Sequence, residues 1–309
     1  MCSLVEESKF VQMLAEAVGA VDSRPDSCEV PSVLGRSFVK SAPLEPRTDE
    51  GVYEVVTVRT ELPDPVGVVM DDDMIDSVNR FASLGALIRH RESRAVSIIS
   101  RLSLYRGQES TWHLLLPIVG TAALVQGTSV SAPARFLSPG RSEDLPTLPG
   151  ENNPSCWGAA DFKLAEEMLR RARLIANGDD TGLVVEFPWE PGAVSAVLGD
   201  VTSLLTFSSV AEHPVLGNGL LCKLELPAVV SEGEEHRTAE ELNLIEARAV
   251  DAPPFFGAWC TAGPCSVAHT AFWPNMLHRS GVVVNLSAWM LARNKLARAF
   301  INTRFERGA

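Results

Sequence analysis

The 309 residues read as an α+β protein built from two tandem repeats. The first observation is an internal match. Residues 32–63 align without a gap on residues 196–227, placing Val33-Leu34-Gly35 on Val197-Leu198-Gly199 and Glu61-Leu62-Pro63 on Glu225-Leu226-Pro227. Weaker matches continue in order on both sides. Glu29-Val30-Pro31 falls on Glu186-Phe187-Pro188, and Leu84-Gly85-Ala86-Leu87 on Phe256-Gly257-Ala258-Trp259. The offset widens only where loops are expected, and loops tolerate insertion. The second observation is that helical and strand-like spacings of apolar residues succeed one another in the same order in both stretches. The third is composition: 46% hydrophobic and 21% charged residues suit an ordinary globular chain, long enough for about two domains of roughly 150 residues.

Each element has its own warrant. A helix is expected from about Leu4 to Val18, where Phe10, Met13, Leu14 and Val18 recur at helical spacing. Short strands follow near Cys28–Val30 and Val33–Ser41. A clearer strand spans Val52–Leu62, with Val52, Val56, Val58 and Leu62 on one face and Tyr53, Arg59 and Glu61 on the other. Asp71-Asp72-Asp73 open a helix to about Ala82, since carboxylates are favoured at a helix N-terminus. Strands Leu84–His90 and Ala95–Tyr105 and an apolar helix Ser110–Val125 complete the first repeat. The second has a helix Ala160–Ala176 and strands Gly182–Phe187, Val201–Ser208 and Gly219–Leu226. A helix follows from Thr238, with Glu241 completing a capping box. Strands Phe255–Thr261 and Val267–Leu277 and a helix Val282–Ile301 close the chain. Each repeat is therefore expected as α-β-β-β-α-β-β-α. The expected boundaries are 1–127 for the first repeat, a Ser/Pro/Gly-rich linker at 128–157, and 158–309 for the second.

The net charge of −12, from 27 basic and 39 acidic residues, argues against a nucleic-acid partner, because phosphates would be repelled. The six cysteines (Cys2, Cys28, Cys156, Cys222, Cys260 and Cys265) are sparse and form no CxxC, so a disulfide framework is not expected. The opening residues are acidic and lack an apolar core, so a signal peptide is not expected. The most apolar run, Leu114–Val125, contains Pro117 and Gly120 and is shorter than the roughly 20 residues a bilayer span needs. No membrane association and a cytoplasmic location are expected. P-loop, GxGxxG, HExxH and GxSxG signatures are missing; Gly127-Thr128-Ser129-Val130-Ser131 fails the last by its final residue.

Several residues could carry chemistry. Cys260, Cys265 and His269, with His278 beyond, are of the types that bind zinc or act as nucleophile and base. Buried packing is the competing reading for the cysteines. Asp71, Asp72, Asp73 and Asp76 could meet a hard cation, but adjacent helical residues do not converge, and a helix N-terminus explains them better. Tryptophan is concentrated in the second repeat, at Trp157, Trp189, Trp259, Trp273 and Trp289. Trp289 has core spacing. Trp189 lies in a loop insertion that the first repeat lacks. Asn275 and Arg293 are either polar specificity groups near the last helix or its caps.

The element order α-β-β-β-α-β-β-α, over about 4–126 and again over 160–303, resembles the type III secretion chaperones and the related YbjN-like proteins. That resemblance implies a curved antiparallel sheet with helices packed on it in each repeat. Family members pair as dimers, so the two repeats are expected as an internal pseudo-dimer. They bind a protein or peptide client in an extended form. The expected function is therefore non-enzymatic client binding without a cofactor, with Trp189, Trp259 and Trp273 as candidate partner-binding residues. The alternative is a small-molecule enzyme with a Cys260/Cys265/His269 site between the repeats.

Overall fold

The computed structural model describes residues 8–32, 35–44, 51–62, 70–90, 95–131, 154–188, 202–227 and 230–308. Helix α1 (Lys9–Val18) starts where Ser8 accepts a hydrogen bond from the Val11 amide, a cap that satisfies one of the helix's free donors. Strands β1 (Asp22–Arg24), β2 (Ser27–Ser32), β3 (Gly35–Pro43) and β4 (Val52–Glu61) follow. In β4, Val52, Glu54, Val56, Val58 and Thr60 point inward and alternate with exposed or half-buried neighbours. Helix α2 (Asp72–Asn79) is capped by Asp71, whose carboxylate accepts from the Met74 amide at 2.8 Å. Then come β5 (Ala86–Arg89), β6 (Val96–Tyr105) and α3 (Trp112–Val125), followed by a 3₁₀ turn at Gln126–Val130.

The C-terminal half runs α4 (Ala159–Arg171), β7 (Ile175–Gly178), β8 (Gly182–Pro188), β9 (Thr202–Ser208), β10 (Glu212–His213), β11 (Gly217–Leu226), α5 (Glu235–Arg248), β12 (Ala258–Gly263), β13 (Ser266–Pro274) and α6 (Val282–Gly308). The chain is thus a mixed α+β protein with two antiparallel sheets. The first is ordered β1-β2-β3-β4-β6-β5 and the second β7-β8-β9-β11-β13-β12, with β10 paired to β11. Helices cover one face of each sheet, over rows such as Val56 and Val58 in β4, and Leu220, Cys222, Leu224 and Leu226 in β11, all nearly inaccessible.

Before its second helix the first half carries one strand more than the sequence pattern predicts, β1, and the second half carries two, β7 and the two-residue β10. β1 escapes because all three of its residues are exposed and show no apolar alternation. β7 was expected as the end of a helix reaching Ala176. Instead α4 stops at Arg171, Arg173 takes the left-handed conformation (φ 63°), and Ile175 begins a strand. The expected capping box at Thr238 is also displaced. α5 begins at Glu235, and Thr238 lies within it, where its hydroxyl accepts from Arg304 at 2.9 Å. Glu109–Val130 has the length and hydropathy of a membrane span, longer than the run read from sequence, and 61% of its apolar window is buried inside the fold.

The ends of the compositional linker are anchored. Ser129 accepts from the Ser83 amide at 3.0 Å, and Thr128 is buried beside it. Asn275 holds the other end, donating to the Pro154 carbonyl and accepting from the Cys156 amide, both at 3.0 Å. This is the role found for Asn275.

The two halves interlock. β5 is short, so the far part of β6 pairs instead with the segment before β12: the Arg101 and Phe255 amides donate to each other's carbonyls at 3.0 and 2.8 Å. On the opposite side the Phe272 amide of β13 donates to the Ala82 carbonyl at 2.9 Å. Asp76 of α2 accepts from the Thr261 amide and hydroxyl of β12, each at 2.7 Å. Buried side chains run through the junction, Ala86, Ile88, Leu244, Phe255 and Ala258 forming one cluster that draws on both halves.

Candidate functional site

The β12–β13 hairpin carries the cysteine–histidine candidates, and its register separates them. Cys260 lies opposite Ala268, while His269 lies opposite Trp259. Successive strand residues leave on opposite faces, so Cys260 and His269 point away from each other across the sheet. Cys260 is buried and its thiol is pushed up to about 12 by desolvation. His269 is fully buried against Trp259 and Phe255, with both ring nitrogens unpartnered and its pKa held well below the usual value by burial and by Arg293. It is neutral at physiological pH. Cys265 sits in the hairpin turn at φ 58° and its amide donates to Glu235 at 2.6 Å. His278 is elsewhere, bonded to Asp161 at 3.1 Å. The hairpin therefore assembles neither a nucleophile–base pair nor a ligand cluster. Among the described residues no group of three or more His, Cys, Asp or Glu side chains is placed to share a metal. The acidic residues near α2 disperse likewise: Asp71 caps the helix, Asp72 meets Arg89 at 3.1 Å, and Asp76 holds Thr261.

Burial also ranks the thiols. Cys156 is exposed, whereas Cys28, Cys222 and Cys260 are buried, and desolvation raises the pKa of each of the last three. Thiolate is the reactive form. A thiol reagent at neutral pH is expected to modify Cys156 in the folded protein and to reach Cys28, Cys222 and Cys260 only after denaturant is added. Mass mapping of the labelled cysteines checks this.

Between the halves lies a buried charge network. Glu246 of α5 accepts from Arg293 Nε of α6 at 2.7 and 3.0 Å and from the indole Nε1 of Trp259 at 2.6 Å. Arg101 of β6 donates to the backbone carbonyls of Glu246 and Pro253 at 2.9 and 3.0 Å and to the Ser103 hydroxyl at 2.6 Å. All three charged side chains are nearly inaccessible. Burial lowers the pKa of Arg101 to about 10, which leaves it charged at neutral pH. Two cations thus face one anion inside the molecule. Arg293 is part of this frame, neither a cap nor a surface specificity group.

The tryptophans divide. Trp259 is wholly buried and spends its only donor on Glu246, so it has no face for a partner. Trp189 lies outside the described residues. Trp157 is buried edge-on to His278. Trp273 and Trp289 face each other, ring centroids 6.3 Å apart, in the wall of a cavity of about 390 Å³ between β6 and α3 on one side and β13 and α6 on the other. Trp273 is buried, yet its Nε1 has no hydrogen-bond partner. The sequence reading singled out Trp273, but it could not pair it with α3, which lies more than 140 residues away.

A second surface feature was not read from the sequence. On β7, β8 and β9, Ile175, Val184 and Leu204 are 55%, 41% and 39% exposed. The pairings Ile175–Glu186–Leu204 and Asn177–Val184–Thr206 put all three on one face, opposite the buried Leu183, Val185, Leu205 and Phe207. The corresponding face of the first sheet carries Arg36, Lys40 and Arg59 instead, all exposed. The signal in the sequence is an apolar residue on both faces of one strand, as in Val184-Val185.

The class this defines is a mixed α+β chain of two sheet-and-helix halves, closed on each other over a buried ionic frame, with one exposed apolar sheet face. No protein-family model matches the chain, and neither a curated protein nor a solved structure matches it.

Proposed function

We propose that this chain is a non-enzymatic, cytoplasmic binding protein of the secretion-chaperone-like kind. Its halves are tandem repeats packed as an internal pseudo-dimer, and they hold an extended segment of a protein or peptide client. The matching neighbour order of the two sheets supports the repeat. So does a matched pair of side-chain clamps. Asn79 accepts from the Leu87 amide at 2.8 Å and donates to its carbonyl at 3.1 Å, while Asn243 does the same to Trp259 at 2.8 and 2.9 Å. Leu87 and Trp259, the residues clamped, fall on each other in the internal alignment.

The observation that carries client binding is the exposed Ile175, Val184 and Leu204 face beside the edge strand β7, which among the described residues pairs with β8 alone. An edge strand offers main-chain donors and acceptors to an added strand, and neighbouring apolar side chains give selectivity. The test is affinity capture from the source cells with the native chain and with V184K/L204K. Both substitutions are on the exposed face and leave the buried face intact. One polypeptide retained in near-equal amount by the native chain and lost by the variant is expected. No retained polypeptide, or equal retention by a folded variant, overturns the reading.

A further inference from the structure

We propose that the cavity between α3 and α6 binds a small apolar monocarboxylate, such as a medium-chain fatty acid, independently of any client on the β7 face. Size comes first. About 390 Å³ lies at the lower end of small-molecule sites, which run from about 300 to 1,000 Å³. An α-helix with side chains is about 10 Å across and does not fit such a space, whereas one short apolar chain does. The body of the wall is apolar, with Leu102, Ile118 and Leu286 beside the two tryptophans.

The charge of the wall selects the head group. In a chain with 39 acidic and 27 basic residues, no Asp or Glu among the described residues lines this cavity. Its ionisable residues are Arg279, His113 and Tyr105. Asp251, beside the lining residue Tyr105, is engaged by its hydroxyl at 3.2 Å. Arg279 is exposed and commits one nitrogen to the His278 carbonyl at 2.6 Å, and His113 commits Nδ1 to the Ser110 carbonyl at 2.6 Å. Arg279 retains further N–H donors for an anion. Behind Ser103, which is also in the wall, stands Arg101 with the excess positive charge of the buried frame.

The test is isothermal titration calorimetry of the full chain with decanoate and with decanol, the uncharged counterpart. Decanoate is expected to bind once per chain and more tightly than decanol. R279A is expected to weaken decanoate about tenfold, the scale of one charge-assisted hydrogen bond, and to leave decanol unchanged. Arg279 is exposed and outside the buried frame, so this variant folds. L114W, which fills the mouth of the cavity from α3, is expected to abolish binding of both. No binding of decanoate up to about 1 mM, equal affinity for the two probes, or decanoate affinity untouched by both variants overturns the proposal. The V184K/L204K chain is expected to bind decanoate like the native one, which separates failure of this site from failure of the client face.

Discussion

Replacing Glu246 with alanine is expected to lower the unfolding free energy by about 3–5 kcal/mol, the cost of removing one partner from a buried ion pair. The size follows from what the carboxylate holds. Arg293 is 1% exposed and bonds both Glu246 oxygens, and the Trp259 indole bonds the same group. Without Glu246, two buried guanidinium groups, Arg101 and Arg293, would share the junction with no anion between them. Glu246→Gln keeps an acceptor for Trp259 but loses the charge, and its cost falls between. Urea denaturation of the three proteins measures this. As a control, Arg237→Ala removes an exposed pair with Glu241 and should cost at most about 1 kcal/mol. A Glu246→Ala loss as small as the control would mean that the frame does not hold the halves together.

The second large effect is expected at the two asparagine clamps. Asn79→Ala and Asn243→Ala each leave an amide and a carbonyl of β5 or β12 unpaired in a buried position, costing about 2–6 kcal/mol at about 1–3 kcal/mol per stranded group. Both asparagines are nearly inaccessible, at 2% and 3%, so water does not replace the lost bonds. The same denaturation experiment reads the outcome. Similar losses at the two positions support equivalent roles in two repeats. A loss at one position alone would show that the clamps are unrelated solutions to local packing.

Much of the fold was legible because burial imprints local periodicity. The alternation of Val52, Val56 and Val58 marked β4, and that of Leu220, Cys222, Leu224 and Leu226 marked β11. Asp71 was recognisable as a cap, since its partner is three residues away. Gly257 was legible only as an aligned glycine. In the structure it stands at φ 98°, and a Cβ there would run into the Thr270 carbonyl oxygen, a close approach that glycine permits. The strands that were missed, β1, β7 and β10, lack the signal: one is exposed throughout, one continues a helical apolar pattern, and one has only two residues.

The site was less legible, because its residues earn their roles from distant partners. Arg293 and Asn275 looked alike as polar residues near the last helix. One is locked to Glu246, 47 residues away, and the other to Pro154, 121 residues away. Cys260 and His269 looked adjacent, and hairpin register sent them to opposite faces.

By itself the sequence determined the α+β class and the kinds of most elements, since these rest on spacings of three or four residues in helices and two in strands. The tertiary structure alone decided which polar groups are buried, which tryptophan lines a cavity, and how the halves close on each other. The physical reason is that burying a charge is tolerable only against a partner, and here the partners are distant in sequence: Arg293 meets Glu246, 47 residues away, and Arg101 reaches the carbonyls of Glu246 and Pro253 in the other half.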